Sequence, residues 1–179
     1  MFYIVESKQQ LQEFYKKEFK EVFIEIIPLN DNIHPTLNEV SLIYIKPLND
    51  PKAYLLCLNH NDALKLKPNH VEQVLKQFDK IWVQDKKSAL YYYPLKSLLD
   101  CSIILNNIIK PQSKTYTYFN NRYSTKNNVN SIIPLVKHYE RCEQIYSEIS
   151  HIISLPLPPH FEFYNSKALL AYLKIEING

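Results

Sequence analysis

Val22-Phe23-Ile24-Glu25-Ile26-Ile27-Pro28 is a short apolar run with one carboxylate inside it and a proline closing it. It reads as the central strand of a small α/β domain. A strand sends successive side chains to opposite faces, so Ile24 and Ile26 point one way while Phe23, Glu25 and Ile27 point the other. A strand that builds a two-metal site carries two carboxylates on one face. This one offers a single carboxylate, and its neighbours at i−1 and i+1 are isoleucines.

Upstream, residues 2–5 are β-prone, and Ser7 is placed to cap a helix over residues 8–20 on which Leu11, Phe14, Tyr15 and Phe19 share a face. Downstream, residues 39–46 alternate, with Val40, Leu42, Tyr44 and Lys46 on one side and Ser41, Ile43 and Ile45 on the other. A turn at Asn49-Asp50-Pro51 leads to a strand over residues 53–58, so consecutive strands joined by turns predict an antiparallel meander. Asn69 begins a helix through Phe78, and the strand at residues 80–84 that follows it is expected to lie parallel to the Val22 strand. A short helix over residues 87–93 comes next, and Asp100 is expected to cap another over residues 101–109. Residues 106–130, rich in Asn, Lys, Thr and Tyr, read as a long loop or loose hairpin. Residues 132–154 have the spacing of the longest helix, with Pro134 in its first turn. The break Leu155-Pro156-Leu157-Pro158-Pro159 precedes a final helix from about Asn165. This element order predicts an α/β fold of the ribonuclease H-like kind, a mixed sheet with flanking helices.

Composition removes several function classes. The only glycine among 179 residues is Gly179, so no glycine-rich phosphate cradle exists and the P-loop and dinucleotide fingerprints are excluded. The net charge of +3, from 21 basic and 18 acidic residues, is too even to argue for nucleic acid without local clustering. Cys57, Cys101 and Cys142 are isolated and sit in apolar surroundings, as reduced core thiols of a cytoplasmic protein do. No apolar run approaches the ~18 residues of a membrane span, and no membrane partner is expected. The six histidines share no metal-ligand spacing, and no serine or cysteine sits in a nucleophile motif.

Taken in order, these segments resemble the 3′–5′ exonuclease module of bacterial DNA polymerase I, the family A polymerases. Phe2-Tyr3-Ile4-Val5 and the Ser7 helix are similar to the family's opening strand and helix, and Val22-Phe23-Ile24-Glu25-Ile26 stands where the family carries Asp-x-Glu. Residues 40–45 and 53–60 resemble the next two strands, the latter similar to Ala-Tyr-x-Pro-x-x-His. Residues 80–87 resemble the strand and lysine before the second acidic motif, and Leu99-Asp100 resembles the family's Phe-Asp. The end, Lys174-Ile175-Glu176-Ile177-Asn178-Gly179, resembles the Met/Ile-Glu-x-x-Gly that opens the polymerase domain. The resemblance implies a DnaQ-like exonuclease domain over residues 1–154 and a linker with the first polymerase helix over residues 155–179, with Gly179 internal to a longer chain.

The family's reaction uses two divalent ions held by carboxylates, two from the first strand and one from each of two later helices. On this sequence those positions fall on Ile24, Ile26, Ala89 and, with a register uncertainty of about one residue, His138. Sliding the first motif by one brings in Glu25 but pairs it with Ile27, and Asp85 lies one helical turn before the second position. The resemblance therefore implies a vestigial domain with no catalytic residue, no metal and no cofactor of its own. Its expected role is that of a monomeric scaffold for a DNA polymerase I in replication and repair, meeting DNA through the parent chain, whose polymerase domain would use Mg.

A second expectation is a single-stranded nucleic-acid-binding module without polymerase. Lys110, Lys114, Arg122 and Lys126 are interleaved with Tyr116, Tyr118, Phe119 and Tyr123, pairing cations for phosphates with rings for bases. A third is an unrelated interaction protein of the same fold.

Overall fold

The computed structural model describes residues 1–31, 33–101 and 129–155. Along the chain it runs β1 (Phe2–Val5), α1 (Lys8–Tyr15), β2 (Glu21–Pro28), β3 (Val40–Pro47), β4 (Ala53–Cys57), α2 (Pro68–Leu75), β5 (Lys80–Val83), α3 (Lys86–Tyr92), β6 (Leu98–Asp100) and α4 (Leu135–Ile153). The strands form one six-stranded sheet in the order β1-β4-β3-β2-β5-β6. β2, β3 and β4 make the expected antiparallel meander, and β5 returns parallel to β2, with Phe23 opposite Trp82 and Ile24 opposite Val83. The fold is the ribonuclease H-like fold of DnaQ-type exonucleases, a mixed sheet with helices on both faces.

The two faces have separate cores. Val22, Ile24, Ile43, Ile45, Leu56 and Ile81 bury against Leu11 and Phe14 of α1, Val71, Val74 and Leu75 of α2, and Ala89 and Leu90 of α3. Phe23, Ile27, Leu42, Tyr44, Leu55 and Trp82 bury against Leu135, Cys142, Ile145, Ile149 and Ile152 of α4. Burying each such aliphatic or aromatic side chain contributes on the order of 1.5–3 kcal/mol before the entropy of ordering is counted. The three cysteines are free thiols, all buried.

Several boundaries differ from the sequence expectations, each for a local reason. α1 ends at Tyr15 instead of residue 20, because Glu18 adopts φ +50 and turns the chain back, a left-handed conformation that glycine would ordinarily supply. Phe19 consequently packs on the core from a loop, tilted against Phe14 and Tyr54. α2 starts at Pro68, whose missing N–H costs nothing in a first turn, with Lys67 in place of Asn69 as the flanking residue and Phe78 beyond the helix end. Val40 leaves the Leu42 face for the opposite core, because the β2–β3 register shifts after Ile27, pairing Ile27 with Leu42 and Pro28 with Val40. β6 was not expected; residues 98–100 are too few for a periodic signal and are held by parallel pairing to β5. Asp100 ends that strand, where its carboxylate accepts the Lys86 backbone N–H at 2.8 Å. α4 begins at Leu135, with Pro134 just outside it and a 3-10 turn over Asn130–Ile132 before that. The expected helix over residues 101–109 past Cys101, the second segment past Leu155, and the whole basic and aromatic stretch, Lys110, Lys114, Tyr116, Tyr118, Arg122 and Lys126 included, lie outside the described residues.

The segment before α4 is fastened to the sheet by polar contacts. Asn130, fully buried, donates from Nδ2 to the Pro28 carbonyl at 2.9 Å and to the Asp31 carboxylate at 2.8 Å, and from its backbone to the Leu29 carbonyl at 2.9 Å. The Asn130 carbonyl accepts from His138 Nε2 at 2.9 Å, and the Ile133 carbonyl accepts from His60 Nε2 at 2.8 Å. Further along α4, Tyr44 donates to Glu143 at 2.5 Å, and Lys46 pairs with the same carboxylate at 3.7 Å.

Asn130→Ala removes two side-chain hydrogen bonds in a dry setting and is expected to cost about 2 kcal/mol, lowering Tm by about 4–8 °C. Burial, opposed by the hydrogen bond to Asn130, holds the His138 pKa below its ordinary value of 6.5. His138 therefore adds stability that is present above about pH 6.5 and lost as pH falls. Urea denaturation of wild type and His138→Gln between pH 5 and 7.5 checks this: the variant should lack that acid-side loss.

Candidate functional site

β2 is covered on both faces and paired with β3 along its length, but β5 pairs with it only from Glu21 to Ile24, so its carboxyl half runs on past the end of β5. There the antiparallel β3 lies on one side, α3 sets off from the end of β5, and α4 passes across the other face. Such a position, at the carboxyl ends of strands where connections diverge, is where open α/β sheets form their crevices. A cleft of about 410 Å³ occupies it, bordered by Ile24 to Pro28 of β2, by Val83 to Asp85 at the end of β5, by Ser88, Ala89 and Tyr92 of α3, and by Arg141 of α4.

Ile24, Ile26 and Ala89 all border this cleft. Ile24 is fully buried and Ala89 nearly so, both in the core shared with α3, and Ile26 packs half-buried against the same core. His138 is buried one turn of α4 away, bonded to the Asn130 carbonyl, and is not among the residues that border the cleft. Arg141 reaches the cleft in its stead, three residues further along α4. The sequence reading passed over Arg141, although its spacing from His138 places both on one helical face and it is one of only two arginines.

Glu25 is the larger surprise. A lone carboxylate in an apolar strand carries no sign in the sequence of an unusual acidity. Instead, burial pushes its pKa up to about 7, against the opposing pull of the Arg141 guanidinium and with a smaller push from Asp85. Part of the residue's surface opens onto the cleft, and the desolvation by the protein around it outweighs the nearby cation. Asp85 keeps its charge engaged locally: it caps α3, accepting from the Lys87 backbone N–H at 3.0 Å and from the Ser88 hydroxyl. Asp31, also at the cleft, accepts from Asn130.

A pair of divalent ions needs several convergent, ionised oxygen ligands at about 2.0–2.6 Å. The cleft does not fit that requirement. Isoleucines and an alanine border it where ligands would project, Asp85 is turned back on its own helix, and a guanidinium already brings a positive charge. Among the described residues no group of three His, Cys, Asp or Glu side chains is arranged to hold a metal ion. Nor, among them, is any helix long and apolar enough to cross a membrane.

Solved exonuclease structures match the fold along nearly its whole length. RNase D of Trypanosoma brucei, solved as a GMP complex, aligns with a TM-score of 0.53 and 14% identity over 99% of this chain and 62% of that one. RNase D of Escherichia coli, an exoribonuclease involved in structured RNA processing, aligns with a TM-score of 0.55 and 8% identity over 99% of this chain and 45% of that one. A nuclease solved in its apo form gives 0.57 and 7% identity over 99% and 92%. The chain thus spans less than two thirds of each of the two RNase D chains. At these identities the likeness establishes the exonuclease-like fold. No protein-family model and no curated protein matches the chain.

A carboxyl whose folded-state pKa is raised from 4.5 to about 7 adds stability that is complete below about pH 4.5 and lost as pH rises through 7. The full loss is on the order of 3 kcal/mol. Glu25→Gln is expected to remove this slope and to leave the protein more stable than wild type at pH 8, as read by denaturant midpoints. Because His138 acts with the opposite sign, the two single variants separate contributions that partly cancel in the wild type.

Proposed function

We propose that the chain is a catalytically silent 3′–5′ exonuclease-fold domain that serves as a structural scaffold, within a DNA polymerase I that takes part in replication and repair. The observation that carries the silent reading is the set of apolar residues, Ile24, Ile26 and Ala89, bordering the crevice where this fold's reaction is built. Hydrolysis there needs a water activated and a leaving oxygen stabilised by metal ions. Hydrocarbon at those positions can do neither, whereas it packs the domain tightly. Ile24 in particular contributes to the core under α3 and makes that core continuous with the cleft floor.

The polymerase context rests on sequence: the order of motifs from Phe2 to Asp100 and the Lys174-to-Gly179 ending. In that setting DNA is met through the parent chain, and Mg belongs to the polymerase domain. Single-strand binding through the basic and aromatic stretch from Lys110 to Lys126 is the other role the sequence supports, and it is compatible with a silent cleft.

An exonuclease assay with Mg²⁺ and Mn²⁺ on 3′-labelled single-stranded DNA and RNA tests the reading. No chelator-sensitive shortening is expected, and about 10 mM Mg²⁺ should move Tm by less than about 1 °C, since no folded-state metal site adds to stability. Turnover abolished both by chelator and by Glu25→Ala would overturn it. Oligonucleotide binding that weakens steeply with salt and is lost on Lys110→Ala and Lys114→Ala exchange would add the single-strand role without restoring catalysis.

A further inference from the structure

We propose that the Arg141 guanidinium and the Glu25 carboxyl form a metal-independent site for a small molecule carrying an oxyanion, a phosphate monoester or a carboxylate, on a compact apolar body. The proposal rests on the reading that the cleft has lost its metal ligands.

The first observation is an unmet donor. Arg141 Nη1 is buried and has no hydrogen-bond partner, although the side chain borders a cleft of about 410 Å³. A buried guanidinium N–H left unpaired is costly, and such groups in native structures point to an acceptor that arrives from outside the chain. Guanidinium presents its donors as a planar fork, which suits two oxygens of one carboxylate or phosphate.

The second observation concerns the carboxylates that share the cleft and would repel an anion. Asp85 is engaged with the start of α3, and Asp31 with Asn130. Glu25, which feels the Arg141 charge, has its pKa pushed up to about 7 by burial, and below that pH its neutral form offers an O–H donor to a bound oxyanion. Arg141 is the cation among the described residues bordering the cleft, beside an acid able to donate to the same oxyanion.

The third observation is shape. About 410 Å³ lies within the range of small-molecule sites. Beyond the polar pair its walls set Ile24, Ile26, Ile33, Val83 and the ring of Tyr92 alongside Asp31, Gln84, Asp85 and Ser88, so a compact ligand body with an apolar or aromatic side has hydrocarbon to pack against.

The test titrates the 179-residue chain with phenyl phosphate and with benzoate in buffer containing EDTA, following Tm and the side-chain N–H resonances of arginine. With only Arg122 and Arg141 in the chain, the second arginine is an internal control. At tenfold excess over Kd, Tm should rise by about 3–6 °C. The Arg141 resonances should shift while those of Arg122 stay put. Arg141→Met should weaken binding at least tenfold, Arg141→Lys less, and Glu25→Gln, which keeps a donor, should bind within a few-fold of wild type. A response to phenyl phosphate alone assigns the site to phosphate monoesters, to benzoate alone to carboxylates, and to both supports the shared chemistry. No response to either up to about 10 mM, a shift confined to Arg122, or equal binding by Arg141→Met would overturn the proposal. If Arg141→Met does not fold, the wild-type resonances decide alone. A response that needs added Mg²⁺ would sink this site and the silent-nuclease reading together, whereas silence in EDTA from a protein without nuclease activity sinks this site only.

Discussion

Everything in the domain depends on β2 being enclosed on four sides. β3 pairs with it along one edge and β5 with its first half, Glu21 to Ile24, along the other, and the α1–α3 layer and α4 cover its two faces. A strand in that position has no route for an ionised group to reach water except at its end. Val22, Phe23 and Ile24 meet the constraint by being apolar. Glu25, one residue further on, meets it by reaching the cleft and by holding its proton, which is why burial and not the neighbouring cation sets its acidity.

The other half of the cleft is brought from far along the chain. Asn130 ties the lead-in of α4 to the carbonyls of Pro28 and Leu29, where β2 ends, and His138 locks the first turns of the helix onto Asn130. Glu143 then fixes the next turn to Tyr44 and Lys46 of β3. Arg141 lies between these two attachments, so its position at the cleft is set by contacts on either side and not by its own pairing.

Charge at this site therefore differs in kind from that of a metal-holding crevice. There, a surplus of carboxylates waits for cations from solution. Here the cation is a side chain, one carboxyl is held toward neutrality, and two others are engaged with Ser88, a backbone N–H and Asn130. The fold shared with the RNase D structures is kept, and here a guanidinium stands among the groups at the crevice.

The amino-acid sequence by itself determined the strand identities, the meander, the parallel return of β5, the long last helix and the apolar residues at the carboxyl end of β2. These follow from side-chain periodicity and turn chemistry, which act over a few residues. Tertiary structure alone decided the short pairing of β6, the register shift that moves Val40 to the other core, the early end of α1 at a left-handed Glu18, and the meeting of Glu25 with Arg141. The pairing of β6, the register shift and the meeting of Glu25 with Arg141 leave no local signal, because each depends on groups brought together from more than ten to more than a hundred residues apart. Glu25 looked like an ordinary carboxylate because its acidity is a property of what surrounds it, and the sequence does not state its surroundings.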